Sequence, residues 1–126
     1  MNIYNIYIYM LNLNYRLCNN KFYLNLLLKN KDIGYSSLTV CNNVLFLNDI
    51  YIKENYRLNK YGTYLMNSSE IIGKNYYNIN QIKLKIYDEN LLYFFFNLGF
   101  DLYDISYTNY KLSKNYKIYP LFKNIY

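Results

Sequence analysis

The chain has 126 residues, a length at which one hydrophobic core forms and a second would be too small to stabilise itself. We therefore predict a single domain over residues 1–126. Hydrophobic residues make up 53% and charged residues 17%, so the chain should fold rather than stay disordered. Histidine is absent, which excludes zinc hydrolases, Ser-His-Asp triads and Cys-His nucleophiles.

The formal net charge of +6 suits a polyanion, such as a nucleic acid, a membrane surface or a phosphorylated cofactor. The lysines are scattered and form no run of five or six like charges, which favours a solvated basic face over a nucleic-acid groove. The 20 tyrosines could stack on the bases of a single strand. However, the abundant residue types share AT-rich codons, and nucleotide bias explains them without a nucleic-acid partner.

The two cysteines, Cys18 and Cys41, form neither a C-x-x-C pair nor a metal-ligand spacing, so we expect reduced thiols and no metal. The N-terminus has no basic start and no continuous apolar run, and no segment approaches the length of about 20 residues that spans a bilayer. We predict a soluble, cytoplasmic protein with no membrane partner.

The first half of the chain predicts mainly strands. Residues 3–9 alternate as in a half-buried strand, and residues 10–18 could form one short helical connection. The apolar run 22–28 and the β-branched run 33–41 predict a hairpin around a polar turn. Asn42-Asn43 offers a second tight turn before a third strand over residues 44–52.

The second half predicts two helices. Apolar residues from Tyr61 to Ile72 have helical spacing, and we expect that helix to end at Gly73 and the asparagine-rich residues after it. Residues 81–87 alternate as a strand, and residues 89–98 predict a buried helix that is capped by Gly99.

The last residues predict a terminal pair of strands. Residues 102–110 and 116–122 form this pair, and Pro120 indicates that the last strand is an edge. The fold class is therefore α+β, a mixed, mostly antiparallel sheet flanked by helices. The strands on either side of the first helix would be parallel and joined by a right-handed crossover.

The stretch RLNKYGTYLM after the third strand carries the first informative motif. Arg57 and Gly62 match the ends of the pattern R/Q-x-x-G-x-G/A, and Lys60 replaces the middle glycine. Leu65 and Met66 match the apolar helix face that follows it. The stretch resembles the cofactor-binding motif of the GNAT superfamily of acetyl-CoA-dependent N-acetyltransferases. The backbone N–H groups of such a turn can face a diphosphate at the positive end of the helix dipole.

A second stretch, DENLLYFFFNLGF, resembles the later GNAT motif N-x-x-A-x-x-F-Y-x-x-x-G-F. It aligns through Phe94, Gly99 and Phe100, and Asp88 stands where Asn is usual. A buried helix with a glycine cap is common, so the inference rests on the two motifs occurring together in the family's order. The resemblance covers roughly residues 44–110 and implies the GNAT fold, here with a shortened N-terminal helical segment.

The resemblance implies acetyl-CoA as the cosubstrate, with its pantetheine arm between the strand before the first motif and the strand before the second helix. The residues implied to bind it are Ile50, Tyr51, Ile52, Arg57, Leu58, Asn59, Lys60, Tyr61, Gly62, Thr63, Asn90 and Phe94. A backbone N–H of the first of these strands would meet the oxyanion.

The resemblance also bears on proton transfer. Many members carry a tyrosine as general acid just after the position of Phe94, whereas Phe95 here has no proton to donate. Other members with phenylalanine there use a strand carboxylate that acts through water. Asp49 is the only carboxylate on the relevant strand, so the resemblance implies that Asp49 is the base. An equal interpretation is that Asp49 is simply a half-exposed strand residue or binds Arg57. Tyr93 is the second catalytic candidate, with simple packing as its alternative role.

The expected acceptor is a primary amine. The sequence does not decide whether that amine belongs to a small molecule or to a protein. Only residues 10–21 stand where relatives generally have two helices, so we expect an acceptor site that is open or completed by a second subunit in a homodimer. Tyr110 falls where protein N-terminal acetyltransferases carry the second of two tyrosines and is the predicted substrate contact, although Asn109 replaces the first. The stretch YGTYLMN resembles histone-type members instead.

The expected function is transfer of an acetyl group from acetyl-CoA to a primary amine by direct attack. Phe95 and Lys60 motivate a rival interpretation, a GNAT-fold CoA-binding or regulatory protein without catalysis. A basic nucleic-acid-binding domain is the third alternative and predicts binding that falls steeply with salt.

Overall fold

The computed structural model describes residues 11–102, 106–110 and 114–125. The first four strands are β1 (Leu11–Cys18), β2 (Lys21–Leu28), β3 (Lys31–Cys41) and β4 (Val44–Ile52). They are followed by α1 (Tyr61–Tyr77), β5 (Gln81–Ile86), α2 (Leu92–Asn97), β6 (Asp101–Leu102), β7 (Ser106–Tyr110) and β8 (Lys114–Asn124). Short 3₁₀ turns at Glu54–Tyr56 and Glu89–Leu91 precede α1 and α2.

These strands form one sheet in the order β1-β2-β3-β4-β5-β8-β6, with β7 also paired to β8. Among the pairs of described strands, β4 and β5 are parallel and the rest are antiparallel. This confirms the predicted α+β class and the parallel crossover through the first helix.

Tight turns rich in asparagine connect β1 to β4. Asn42 and Asn43 have φ of 52° and 65°, and the turn between β2 and β3 has the same left-handed conformation. Two residues with positive φ form the hairpin turn whose twist matches that of the flanking strands. The predicted turn at Asn42-Asn43 and the strand that follows it are confirmed.

The helix predicted for residues 10–18 is wrong, because residues 11–18 form β1. Leu13 and Leu17 alternate with polar residues at period two, and β1 pairs with β2 along its whole length, from Leu11 opposite Leu28 to Cys18 opposite Lys21. A turn at Asn19, which has φ of 56°, makes this pairing local. The strand predicted over residues 3–9 lies outside the described residues.

The hydrophobic core lies on one face of the sheet, beneath α1. Alternate residues of β2 and β3, including Phe22, Leu24 and Leu38, are fully buried there. Helix α1 packs against β2, β3 and β4, with Leu65 fully buried. Ser36 and Ser69 face each other between sheet and helix at 3.0 Å, so both buried hydroxyls have a partner.

The opposite face of β1 to β4 is polar, and we call it the open face. No described helix covers it, and its side chains are exposed or half-buried: Asn12, Asn14, Arg16, Tyr23, Asn25, Tyr35, Ser37, Thr39, Phe46, Asp49 and Tyr51. Because nearly all of them have a polar group, this face needs no second layer to shield it from water.

Beyond Phe46, β4 and β5 part. They pair only from Val44 opposite Gln81 to Phe46 opposite Lys83. Two residues later β4 has a bulge, since Asp49 lies opposite Ser37 while Leu47 lies opposite Leu38, which leaves Asn48 as the extra residue. A bulge bends the strand and increases its twist, which turns the second half of β4 away from β5.

Helix α1 continues past Gly73 to Tyr77 and ends at Asn78, which has φ of 53° and lies among the asparagine-rich residues expected to end it. The second helix differs more from the prediction. The expected buried helix over residues 89–98 is a 3₁₀ turn followed by the six-residue α2, of which only Phe95 is buried. Gly99 follows with φ of 91°, so the predicted glycine cap is confirmed.

The last strand is not an edge. Strand β8 lies between β5 on one side and β6 and β7 on the other. Pro120 falls between the part that pairs with β6, which starts at Leu121, and the part that pairs with β7, which ends at Ile118. Proline has no N–H to donate. On that side of β8 no described strand residue lies opposite Pro120, so none there needs a donor from it.

None of the helices within the described ranges is long and apolar enough to cross a membrane.

A matched pair of glycine substitutions tests the packing of α1 and β4. A Cβ at Gly34 would lie 2.6 Å from the backbone oxygen of Tyr51, so we expect Gly34→Ala to lower the free energy of unfolding by about 1–3 kcal/mol. A Cβ at Gly73 would meet the flexible end of Ile79 at 2.7 Å, and the better helix propensity of alanine opposes that crowding. We expect Gly73→Ala to change stability by less than about 1 kcal/mol. Urea unfolding measures both, and equal losses would contradict the structure.

Candidate functional site

Where β4 and β5 part, two grooves meet. The inner groove has a volume of about 610 Å³ and runs along β4 to the start of α1. The outer groove has a volume of about 290 Å³ and lies between β4 and the end of β5. Ile50, Leu91 and Phe95 line both, so a molecule in one groove can reach a molecule in the other.

The inner groove contains most of the residues predicted to bind the cosubstrate. It is lined by Ile50, Tyr51, Ile52, Tyr56, Arg57, Leu58, Lys60, Tyr61, Gly62, Thr63, Leu91, Phe94 and Phe95. The backbone groups of residues 47–52 that face this gap have no partner strand in the described part of the chain, since β5 pairs only as far as Phe46. The groove therefore combines an apolar wall with backbone groups of β4 that no described strand pairs with, of which the Ile52 oxygen accepts a hydrogen bond from Arg57.

The first backbone N–H groups of α1 lie at one end of the inner groove. The earliest helical hydrogen bond is from Tyr64 N to Lys60 O, and no side chain caps the helix. The N–H groups of Tyr61, Gly62 and Thr63 consequently have no acceptor within the helix. Together with the positive end of the helix dipole they form a site suited to an anion.

The turn before α1 holds two non-glycine residues in the left-handed conformation. Leu58 has φ of 67° and Lys60 has φ of 64°. Leu58 is also fully exposed, with a relative accessibility of 103%. Such conformations raise the energy of residues with a Cβ and concentrate at functional sites. Both residues line the inner groove.

Arg57 ties this loop to the end of β4. Its Nε donates to the carbonyl oxygen of Ile52 at 2.8 Å, and its guanidinium lies 5.4 Å from the ring centroid of Tyr51. The residue lines the groove as a fixed cation rather than pairing with Asp49. The alternative role for Asp49 as a partner of Arg57 is therefore not observed.

Gly62 permits a close contact between the two helices. A Cβ there would lie 3.2 Å from two ring carbons of Phe94, tighter than an ordinary contact. Phe94 in turn packs edge-on against Phe95, and Phe95 against Phe100, with centroids 5.0 and 5.6 Å apart. The aromatic stack fixes the wall of the inner groove opposite β4.

Asp49 lies in the outer groove, on the open face of β4. The groove also contains Lys85, Tyr87 and Asp88 from the end of β5 and the loop after it. The carboxylate of Asp49 accepts a hydrogen bond of 2.7 Å from the hydroxyl of Tyr35. This interaction raises the pKa of Tyr35 above its ordinary value of 10.0, with smaller contributions from desolvation and from the charges of Asp49 and Tyr51. Tyr35 thus stays a protonated donor near neutral pH.

Three predicted site residues are not brought to the grooves, and a fourth cannot be placed among the described side chains. Tyr93 is 78% exposed and lines neither groove. The amide of Asn59 turns back to the carbonyl of Arg57 at 3.2 Å, and the backbone N–H of Asn90 is bound by the Asp88 side chain at 3.0 Å. Tyr110 lies in β7, and its side chain is outside the described ones.

Sequence reasoning missed Tyr35, Tyr56 and Leu91 as residues around the grooves. Tyr56 lies in a 3₁₀ turn just before the first motif and Leu91 in a 3₁₀ turn within the second, so their position relative to the motifs was a usable signal. Tyr35 is close to Asp49 only through the register of β3 and β4, which no local pattern reveals. Within the described ranges, no three His, Cys, Asp or Glu side chains are grouped so as to hold a metal ion.

Solved structures share this architecture. A protein from Bacillus anthracis assigned as a streptothricin acetyltransferase, in complex with acetyl coenzyme A, has 22% identity and a TM-score of 0.79 over 99% of this chain and 69% of its own. The ribosomal-protein-S18-alanine N-acetyltransferase of Escherichia coli has 14% identity and a TM-score of 0.75 over 86% and 72%.

A GNAT family acetyltransferase from Elizabethkingia anophelis with acetyl-CoA bound has 11% identity and a TM-score of 0.76 over 92% of this chain and 99% of its own. At these identities the likeness shows the fold, and it confirms the predicted GNAT-like sheet and helices. No curated protein sequence matches the chain.

The match to a family model comes from the sequence itself. The model of the acetyltransferase (GNAT) family matches residues 4–100, which is more than half of the chain. This confirms both the resemblance and the predicted enzyme class, an acyltransferase. The chain belongs to the GNAT family of acetyltransferases.

Proposed function

We propose that this protein transfers the acetyl group of acetyl-CoA to a primary amine by direct attack. The observation that carries the proposal is the parting of β4 and β5 beside a helix start with free N–H groups. Two of the similar structures hold acetyl-CoA, the molecule that the sequence predicted as cosubstrate. The proposal assigns the inner groove to this cosubstrate and the outer groove to the amine.

The diphosphate of CoA would bind at the start of α1. The amides of Tyr61, Gly62 and Thr63 would donate to it, and Arg57 and Lys60 add two positive charges at the same groove. The pantetheine arm would lie along β4, where its amide groups meet the free backbone groups that follow Phe46. The thioester is then directed toward Ile50 and the junction with the outer groove.

The reaction needs a base for the amine and a stabilised oxyanion. The amine nitrogen attacks the thioester carbon, and a backbone N–H of β4 donates to the oxygen that becomes negative. Asp49 takes the proton of the amine, directly or through water, as the carbon–sulfur bond breaks. The thiolate of CoA leaves and takes a proton from solvent, because the phenyl ring of Phe95 has none to donate. An ordinary thiol pKa of about 8.5 makes a thiolate an adequate leaving group.

Holding the thioester and the amine together would account for much of the lowering of the activation barrier. Well-oriented reactants lower a barrier by roughly 7–11 kcal/mol compared with free reactants. This contribution depends on the two grooves meeting at Ile50 and Phe95 rather than on a particular acid. Replacement of the usual tyrosine by Phe95 is therefore compatible with catalysis.

The acceptor would approach from the open face. The outer groove opens between β4 and β5, and no described helix lies over the neighbouring strands. Similar structures bear names that refer to streptothricin and to the alanine of a ribosomal protein, one a small molecule and one a protein. An open approach accommodates either, and a second subunit could complete it.

Binding of CoA tests the inner groove. We expect CoA to raise the melting temperature of the wild-type protein, because a ligand that binds only the native state stabilises it. In Gly62→Ala the added methyl displaces Phe94 and separates the phosphate from the amides, so we expect at least about tenfold weaker binding. The same substitution at Gly73, deeper in α1, is the control and should leave CoA affinity unchanged. Equal affinity in all three proteins would contradict the assignment.

Two substitutions of Lys60 separate its charge from its conformation. Glycine adopts φ of 64° without the cost that a Cβ brings, so we expect Lys60→Gly to raise the free energy of unfolding by about 0.5–1 kcal/mol. Lys60→Gln still places a residue with a Cβ in the left-handed conformation and therefore keeps its energetic cost. Both remove the cation and should weaken CoA binding about three- to tenfold, which calorimetry measures. If only one of them weakened binding, charge would not be the contribution of Lys60.

Substitution of the base tests the chemistry. We expect Asp49→Asn to lower kcat/KM at least about 100-fold while CoA still raises the melting temperature as in the wild type. Release of free thiol from acetyl-CoA is followed with a streptothricin, spermidine and a peptide with an N-terminal alanine as acceptors. Thermal stabilisation by CoA without thiol release for any amine would favour the rival, a CoA-binding protein without catalysis.

A further inference from the structure

We propose that Tyr35 positions Asp49 for catalysis, so that one carboxylate oxygen is held by the tyrosine and the other is presented to the amine. This inference rests on the proposed function and adds a residue to it. Tyr35 lies outside both motifs that identified the family, and it is reached only through the pairing of β3 and β4.

The geometry places the two side chains on the same face at the mouth of the outer groove. Tyr35 pairs with Tyr51, and Asp49 lies two residues before Tyr51 on β4, so Tyr35 and Asp49 are diagonal neighbours on the open face. The Tyr35 hydroxyl donates to Oδ2 of Asp49 at 2.7 Å, the short distance expected of a hydrogen bond to a carboxylate. Its ring also lies 5.9 Å from that of Tyr51, which restricts its position.

The bulge explains why Asp49 needs such a partner. Asn48 is the extra residue of β4, and the strand beyond it has left β5. Two side-chain hydrogen bonds then fix this segment to β3, from Asn48 to the hydroxyl of Thr39 at 2.7 Å and from Tyr35 to Asp49. Without Tyr35, the exposed carboxylate could rotate among several orientations, and only some of them would face an incoming amine.

The protonation states agree with this role. The hydrogen bond to Asp49 raises the pKa of Tyr35, so the hydroxyl remains a donor over the range in which a base must be ionised. Among the described residues, the other titratable groups in the outer groove are Lys85 on β5 and Tyr87 and Asp88 after β5, and Tyr51 on β4 contacts the Tyr35 ring. Of these, only Lys85 is a cation, and the structure gives it no hydrogen bond or ion pair with Asp49.

A double-mutant cycle tests the proposal in the full chain. We expect Tyr35→Phe to lower kcat about three- to tenfold with little change in KM for acetyl-CoA. In the Asp49→Asn background the same change should alter kcat by less than about twofold, because there is no base left to position. If the double mutant showed the product of the two separate losses in kcat, the two residues would act independently and the proposal would be overturned.

The split between kcat and KM supplies a readout that a purely structural role would not give. Loss of the donor leaves both grooves in place but frees the carboxylate to rotate, so kcat should fall in Tyr35→Phe while KM for acetyl-CoA stays unchanged. Tyr23→Phe is the matched control, since Tyr23 lies on the same open face but stacks with Arg16, 5.2 Å from its ring centroid. An unchanged kcat in Tyr35→Phe, or an equal fall in Tyr23→Phe, would overturn the proposal.

The outcomes separate this proposal from the one it rests on. If Asp49→Asn loses activity but Tyr35→Phe behaves as Tyr23→Phe does, Tyr35 is not a positioning residue and the base assignment stands. If Asp49→Asn keeps full activity, the base assignment fails and the role of Tyr35 fails with it. CoA binding, measured by thermal shift in every variant, shows whether the inner groove is intact in each case.

Discussion

The site depends on the early end of the pairing between β4 and β5. Parallel neighbours usually continue their ladder, yet here it stops at Phe46 and the bulge at Asn48 turns β4 away. The unpaired backbone groups would be costly if they were buried, but the two grooves keep them accessible. One local irregularity thus opens the inner groove beside the outer groove and places Asp49 in the outer groove, next to the shared residue Ile50.

The turn before α1 shows how this chain deviates from the motif and still keeps its shape. Leu58 and Lys60 adopt the left-handed conformation that glycine adopts at no steric cost, and Lys60 stands where the motif has glycine. The rest of the loop stabilises that conformation, since Arg57 binds the carbonyl of Ile52 and Asn59 turns back onto the loop. The loop conformation therefore survives without the glycine, and in exchange the groove gains a cation.

The sequence was sufficient for most of the fold and for the inner groove, because those features have local causes. Residues 44–52 are strongly apolar, residues 81–87 alternate, and the two motifs lie at the starts of α1 and α2, so these strands and helices were predictable. The failures have identifiable physical reasons. The short helix predicted over residues 10–18 is wrong because pairing with β2, which the local sequence does not show, makes residues 11–18 a strand. Pro120 suggested an edge, yet it falls between two partner strands. The Tyr35–Asp49 contact depends on strand register, which a single sequence does not encode locally.

The open face connects the architecture to the chemistry. Residues of β1 to β4 that face away from α1 are mostly polar or are tyrosines, whose hydroxyls remain in water while their rings cover the sheet. Such a face is stable without a second layer of helices, and the route to Asp49 stays unobstructed on the described side of the sheet. The cost is that Asp49, the proposed base, is exposed, so its orientation cannot come from burial. A hydrogen bond from the neighbouring strand is the remaining way to fix it, and Tyr35 is placed to make that bond.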